Sequence, residues 1–245
     1  HWSANNSYNK IQEQMGATKP IPNKVLEVDP DRDEFPINDD IPQIDFEPLK
    51  SENEEVVAWV RIDGTEINYP VSQGENNEFY LNHLYNKKYN ISGSVFMDYR
   101  NNTDFTSENT ILYAHNLRNG TMFGSLKKYK NEEYLKEHKY VWLITPDATY
   151  QYEIYAAYEF DSAKDKYEFN FDSEESFLDY LENIKEKSII SSDLEVTPKD
   201  HILTLSTCTD ENGSKRFIVI AKRIVKYVVI DNNMSSNATE EKIED

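Results

Sequence analysis

One cysteine, Cys208, stands in 245 residues, so no internal disulfide can close and no cystine framework braces the fold. No window reaches the roughly eighteen apolar residues that a membrane span requires, and no signal peptide is visible. Basic runs are lacking as well. Twenty-six Lys and Arg stand against 45 Asp and Glu, a formal charge of −19, which argues against nucleic acid as a partner because phosphate binding needs a basic patch. No pair of histidines or carboxylates has a trustworthy metal-ligand spacing, so neither metal nor cofactor is expected. What the chain has is aromatic surface: 17 Tyr, 11 Phe and 3 Trp, ample for the core of one good-sized domain with extensions.

The organisation divides into three stretches. Residues 1–45 form a polar arm in which Pro20, Pro22, Pro30, Pro36 and Pro42 interrupt any long helix, leaving only Tyr8 to Met15 potentially helical. Residues 46–230 carry strand candidates at 57–62, 66–71, 93–98, 109–115, 139–145, 149–160, 201–208 and 216–229. Such a strand-rich order with few helices predicts a mainly β fold, a closed or nearly closed barrel. One helix is predicted between the sixth and seventh strands. Asp172 and Glu175 form a cap-like pair, Phe177, Leu178, Leu181 and Ile184 share one face, and the helix ends near Lys185 and Lys187. Residues 231–245 are an acidic, polar tail, expected to be disordered.

A lone cysteine is most often inert core filler. Here the alternation of a strand over 202–208 puts Leu203, Leu205 and Thr207 on one face and Ile202, Thr204, Ser206 and Cys208 on the other, more polar one. A turn-rich stretch with Asn-Gly follows, then a second apolar run from Arg216, which together read as a hairpin with Cys208 and Arg216 bracketing its loop. A reactive thiol also needs a proton partner, since free cysteine titrates near pH 8.5. Among five histidines, His1 is terminal, His83 and His138 lie in charge-rich, surface-like stretches, and His201 opens a strand in what reads as a structural role. His115 differs: it ends a strand with Ile111 and Tyr113 on its own face, beside a turn, where catalytic side chains tend to be presented.

These residues carry a family resemblance. The segment NTILYAHNLRNGTMFGSL over 109–126, TLSTC over 204–208 and the downstream Arg216 are joined by WVRIDGTEINYPVSQ over 59–73 and NNEFYL over 76–81. In this order they resemble the sortases, and class B in particular, the transpeptidases that attach surface proteins to the Gram-positive cell wall. The resemblance covers roughly residues 46–230. Two positions depart from the pattern: Ala114 stands where glycine is frequent, and Thr209 where some relatives carry an acidic residue.

The resemblance implies a closed eight-stranded sortase-type barrel with an N-terminal helical extension and a long helix between strands six and seven. It implies Cys208 as nucleophile, His115 as general acid/base and Arg216 as the cation that holds the oxyanion or orients substrate. Asn77 and Leu81 should line the peptide groove, Tyr113 should lie beside the histidine, and Ser206 should share the cysteine's face and bond substrate. The partners implied are the sorting-signal peptide of a secreted surface protein, cleaved after threonine, and the amine of a lipid II-type peptidoglycan precursor. An N-terminal anchor outside this sequence would place the enzyme on the extracellular face of the membrane. Two other classes compete: a cysteine protease that uses water as acceptor, and a non-catalytic surface module that keeps the barrel as scaffold.

Overall fold

The computed structural model describes residues 2–15, 24–28, 41–207 and 214–231. In chain order the elements are α1 (Trp2–Met15), β1 (Lys24–Val28), α2 (Glu47–Glu52), β2 (Val56–Arg61), β3 (Asn68–Ser72), β4 (Val95–Met97), β5 (Asn109–Ala114), α3 (Glu132–Glu137), β6 (Tyr140–Ile144), β7 (Ala148–Asp161), α4 (Glu174–Lys187), β8 (Ile202–Thr207) and β9 (Lys215–Asp231). Two 3₁₀ segments, Phe79–Leu81 and Gly124–Lys130, follow β3 and β5. Strands pair in the order β9-β7-β6-β2-β3-β4-β5-β8, and β8 pairs back onto β9, closing an eight-stranded barrel. The β3–β4 and β5–β8 pairs are parallel and the rest antiparallel, so the barrel is mixed. Closure leaves no free strand edge within the ring.

The eight barrel strands coincide with the eight predicted ones to within a few residues. The arm differs from expectation. α1 begins at Trp2 rather than near Tyr8, and a ninth strand, β1, pairs with the far end of β9 through Val28↔Tyr227 to Lys24↔Asp231. The segment is short, and its partner is the overhang of a 17-residue strand, so nothing in its own five residues announces the pairing. The arm also docks at α1, where Tyr8 is buried against the rings of Tyr69 and Tyr85 and its hydroxyl reaches the Gly93 carbonyl at 3.0 Å.

Period-two alternation sorts the barrel's side chains into two layers. Leu112, Ala114, Leu203, Leu205, Phe217, Val219 and Ala221 fill the interior. Ile202, Ile218 and Ile220 point outward, where with Tyr158 and Phe160 they are covered by Phe177, Leu181 and Ile184 of α4. Burying each such side chain contributes about 1.5–3 kcal/mol, which is why a 14-residue helix with a polar outer face stays on the barrel. Two details of this helix correct the sequence reading. Ser173, not Asp172, is the N-cap: its hydroxyl accepts from the Ser176 N–H at 3.1 Å and Ser176 Oγ accepts from the Ser173 N–H at 3.2 Å. Leu178 lies 40% exposed, because the packed stripe runs through 177, 181 and 184 and position 178 falls on its flank.

Candidate active site

β5, β8 and β9 lie side by side, and their ends bring His115 and Arg216 to either side of the end of β8. Thr207 is the junction. It pairs with Ala114 across the parallel β5–β8 ladder, and its hydroxyl accepts the Phe217 N–H of β9 at 2.8 Å. His115 is one residue beyond Ala114, and Arg216 is one residue before Phe217. Cys208 follows Thr207 in the sequence and lies outside the described residues, as does Thr209.

His115 is held from the neighbouring segment. Its Nε2 lies 2.6 Å from the Leu81 carbonyl, and its own carbonyl accepts the Phe123 N–H at 3.0 Å. A carbonyl can only accept, so Nε2 carries the proton in this contact and Nδ1 is the nitrogen left to take up or release one. The Leu81 carbonyl is placed by Gly93, whose φ is +59° and whose backbone lies so close that a Cβ there would stand 2.6 Å from the Tyr80 oxygen and 2.7 Å from that of Leu81. Only glycine accepts both the left-handed torsion and this approach.

Arg216 is held from the opposite side. Nη1 donates to the Tyr167 hydroxyl at 3.2 Å, and that hydroxyl shares a 2.7 Å hydrogen bond with Ser206 Oγ. Tyr167 belongs to the connection between β7 and α4, stacks on Phe160 with ring centroids 4.4 Å apart, and meets Tyr113 edge-on at 5.4 Å. Arg216 Nε is buried and has no hydrogen-bond acceptor among the described residues. A buried guanidinium donor without an acceptor is rare and costly.

The remaining predicted residues lie around this core. Leu81 packs against the outward cluster of Tyr80, Phe96, Ile111 and Tyr113, together with Tyr167 and Phe169. Asn77 is half-buried and bonds to Asp98 and Tyr99. Tyr113 is buried, with its hydroxyl on Asp98 at 3.0 Å; burial and the adjoining carboxylate push its phenol above the usual range. Ser206 has no solvent exposure, being roofed by Tyr167. Among the other histidines, His201 bonds the Ser107 carbonyl at 3.0 Å, a structural role as expected. His138 departs from its surface reading: only 16% of the side chain is exposed, with Nδ1 on the Asp63 carbonyl at 2.8 Å.

Tyr167, Phe169, Asp98 and Arg100 were not singled out from the sequence. Tyr167 and Phe169 lie in a charged connection with no periodicity, so only the packed structure shows their role. Asp98 closes the apolar run Val95–Met97, and an acidic residue abutting such a run was the available signal. A cavity of about 390 Å³ lies between β7, its connection and α4, lined by Lys164, Asp165, Glu168 and Asp179 among others. It contains none of His115, Ser206 or Arg216 and is separate from the site described above.

Residues 60–224 match the sortase domain family. Sortase B of Staphylococcus aureus is 38% identical over 182 residues, covering 73% of this chain and 74% of that protein. Sortase B of Listeria monocytogenes is 38% identical over 178 residues, 72% of each. Among solved structures, a Staphylococcus aureus sortase B–substrate complex superposes with a TM-score of 0.70 at 37% identity, over 73% of this chain and 84% of that one. A Bacillus anthracis protein described as similar to sortase B gives 0.76 at 32% identity, over 92% and 97%. With the closed mixed barrel and the helix between its sixth and seventh strands, these matches lead to one conclusion: the chain belongs to the sortase family, class B, whose members are cysteine transpeptidases.

Proposed function

We propose that Cys208, His115 and Arg216 form the catalytic set of a sortase B-type transpeptidase, which cleaves the sorting signal of a surface protein after threonine and passes the acyl group to a peptidoglycan-precursor amine. The observation that carries this reading is the meeting at Thr207 of the strand that runs into His115 and the strand that begins beside Arg216. Spacing in the sequence supports it further. Ser206 pairs with Ile218; Arg216 is two residues from Ile218, and Cys208 is two residues from Ser206.

The chemistry assigns each residue one task. The Cys208 thiolate attacks the threonine carbonyl carbon, and negative charge develops on the carbonyl oxygen. Arg216 presents a guanidinium whose Nε–H has no acceptor among the described residues and is the donor for that oxygen. As the C–N bond breaks, the leaving amine takes a proton from the His115 imidazolium, leaving a thioester on Cys208. An incoming amine then attacks the thioester, His115 accepts its proton, and the thiolate departs. Removing one donor from an oxyanion site costs about 10²–10³ in rate, so Arg216→Ala should lose that much without unfolding the barrel. A Staphylococcus aureus relative has been captured with substrate, which supports a sorting-type peptide as the ligand class here. The reading places the enzyme at the extracellular face of the membrane, where the precursor amine is presented.

The test is incubation with a library of threonine-containing sorting-type pentapeptides and detection of acyl-enzyme by mass spectrometry, with and without a primary amine. The expected result is one adduct on wild type, resolved faster by amine than by water, and none on Cys208→Ala. An adduct that persists in Cys208→Ala would overturn the mechanism, and turnover indifferent to amine would make the protein a protease.

A further inference from the structure

Behind the groove residues lies a carboxylate that the proposed chemistry does not use. The side chain of Asp98 has no solvent exposure, yet it accepts from five groups. Oδ1 takes the Arg100 backbone N–H at 3.0 Å and Arg100 Nε at 2.9 Å. Oδ2 takes Arg100 Nη2 at 2.8 Å, the Tyr113 hydroxyl at 3.0 Å and Asn77 Nδ2 at 3.0 Å. Such a node holds its donors in one geometry, because a buried polar network is strong only when every member is satisfied.

Its effect on Asn77 is specific. The carboxylate can only accept, so it fixes which end of the amide is the NH₂; the Tyr99 N–H, donating to Asn77 Oδ1 at 3.0 Å, fixes the other end. A flipped amide would set NH₂ against N–H and carbonyl against carboxylate, losing both bonds. One Nδ2 hydrogen therefore stays free on a half-buried side chain of the groove wall. We infer that Asp98 is a positioning residue for peptide recognition: it locks the Asn77 amide so that its second N–H is presented to an acceptor, a carbonyl oxygen of the bound sorting peptide. The same carboxylate holds Arg100 over Phe169, Cζ 4.6 Å from the ring centre, and so ties the β7–α4 connection to the same point.

This inference rests on the peptide-cleaving reading above, and a double-mutant cycle separates the two. The probe is the library pentapeptide that gives the strongest acyl adduct, and rates are normalised to enzyme titrated at the active thiol. Asn77→Ala should raise KM about tenfold, the worth of one hydrogen bond. Asp98→Asn should raise it by a similar factor, because its amide no longer dictates the orientation of Asn77. In KM the double variant should be no worse than the worse single one, since Asp98 acts on peptide binding through Asn77, whereas its bonds to Arg100 and Tyr113 are read separately in kcat. Multiplied effects, about a hundredfold in the double variant, would overturn the inference and leave Asp98 a structural residue. Where Asp98→Asn fails to fold, side-chain amide NMR of the Cys208→Ala protein decides. One Asn77 Nδ2 proton should be protected and insensitive to the probe while the other shifts on its addition; two protons that exchange and shift alike would refute the lock. Absence of any acyl adduct on wild type would instead sink the peptide-cleaving reading itself.

Discussion

Replacing Gly93 by alanine tests whether the barrel's turns set the histidine. At φ +59° an L-residue costs about 1–2 kcal/mol. The new Cβ would also lie 2.6 Å from the Tyr80 oxygen and 2.7 Å from the Leu81 oxygen, closer than the 3.0 Å that real Cβ atoms respect, so the two carbonyls must retreat by about 0.4 and 0.3 Å. Forcing such overlap into packed backbone costs a further ~1–3 kcal/mol. The sum, roughly 2–5 kcal/mol, should lower Tm by about 10 °C in a chain of this size. Function should fall separately, because the Leu81 oxygen is the atom that holds His115 Nε2 at 2.6 Å. Displacements of 1 Å can cost about a hundredfold, so a shift of about 0.3 Å should slow acylation about fourfold at temperatures where the variant is fully folded. Gly120→Ala is the control: φ is +82° and nothing lies within 4 Å, so it incurs the torsional cost alone. Thermal denaturation and single-turnover acylation are the assays. Gly93→Ala that loses no more stability than Gly120→Ala, and acylates within twofold of wild type, would refute the reasoning.

Tyr167→Phe removes the hydroxyl shared by Ser206 and Arg216; a hydrogen bond to a charged group is worth about 1.5–3 kcal/mol, so kcat/KM for acylation should drop ten- to a hundredfold, and an unchanged rate would show that Arg216 needs no such brace. On α4, Phe177→Ala should cost about 3–5 kcal/mol in urea denaturation and Leu178→Ala under about 0.5 kcal/mol; equal losses would contradict the packing described. Acid should weaken the fold through Asp98. Burial opposes its ionisation, but the Arg100 hydrogen bonds outweigh burial and hold its carboxyl below the ordinary value of 3.8. The unfolded chain therefore binds this proton first, so the contribution is whole above about pH 4 and is lost as pH falls through the lower, folded value. Urea midpoints compared at pH 6 and pH 3 should show the loss, and Asp98→Asn should flatten it; an Asp98→Asn profile as steep as wild type would assign the acid sensitivity elsewhere.

The barrel was legible in the sequence because its strands are apolar runs punctuated by turns, and period two sorted their side chains correctly: Leu203 and Leu205 point inward, Ile202 and Ile218 outward. His115 and Arg216 were legible for the same reason, as polar residues at the ends of such runs. The parts that escaped depend on pairing over long separations. β1 needs the overhang of β9, more than 190 residues away, and Tyr167 acquires its role only when a connection without periodicity folds over Ser206. The cap at Ser173 was displaced by one residue because Asp and Ser are both good N-caps, and only the reciprocal bond with Ser176 decides between them.

His115 and Arg216 follow the outward-facing alternation of their strands, so the packed interior cannot by itself hold these side chains in place. The support comes from two connections far apart in sequence. Residues 77–99 fix His115 through the Leu81 carbonyl and hold the Asn77 amide on Tyr99, while the β7–α4 connection fixes Arg216 through Tyr167. The two are joined by the edge contact of Tyr113 with Tyr167 and by Arg100 stacked on Phe169, and both joints run back to Asp98. The two connections therefore meet at Asp98. A change that loosens either connection should disturb peptide binding and acylation together, whereas a change confined to the barrel interior should lower stability and leave the kinetics of the folded enzyme intact.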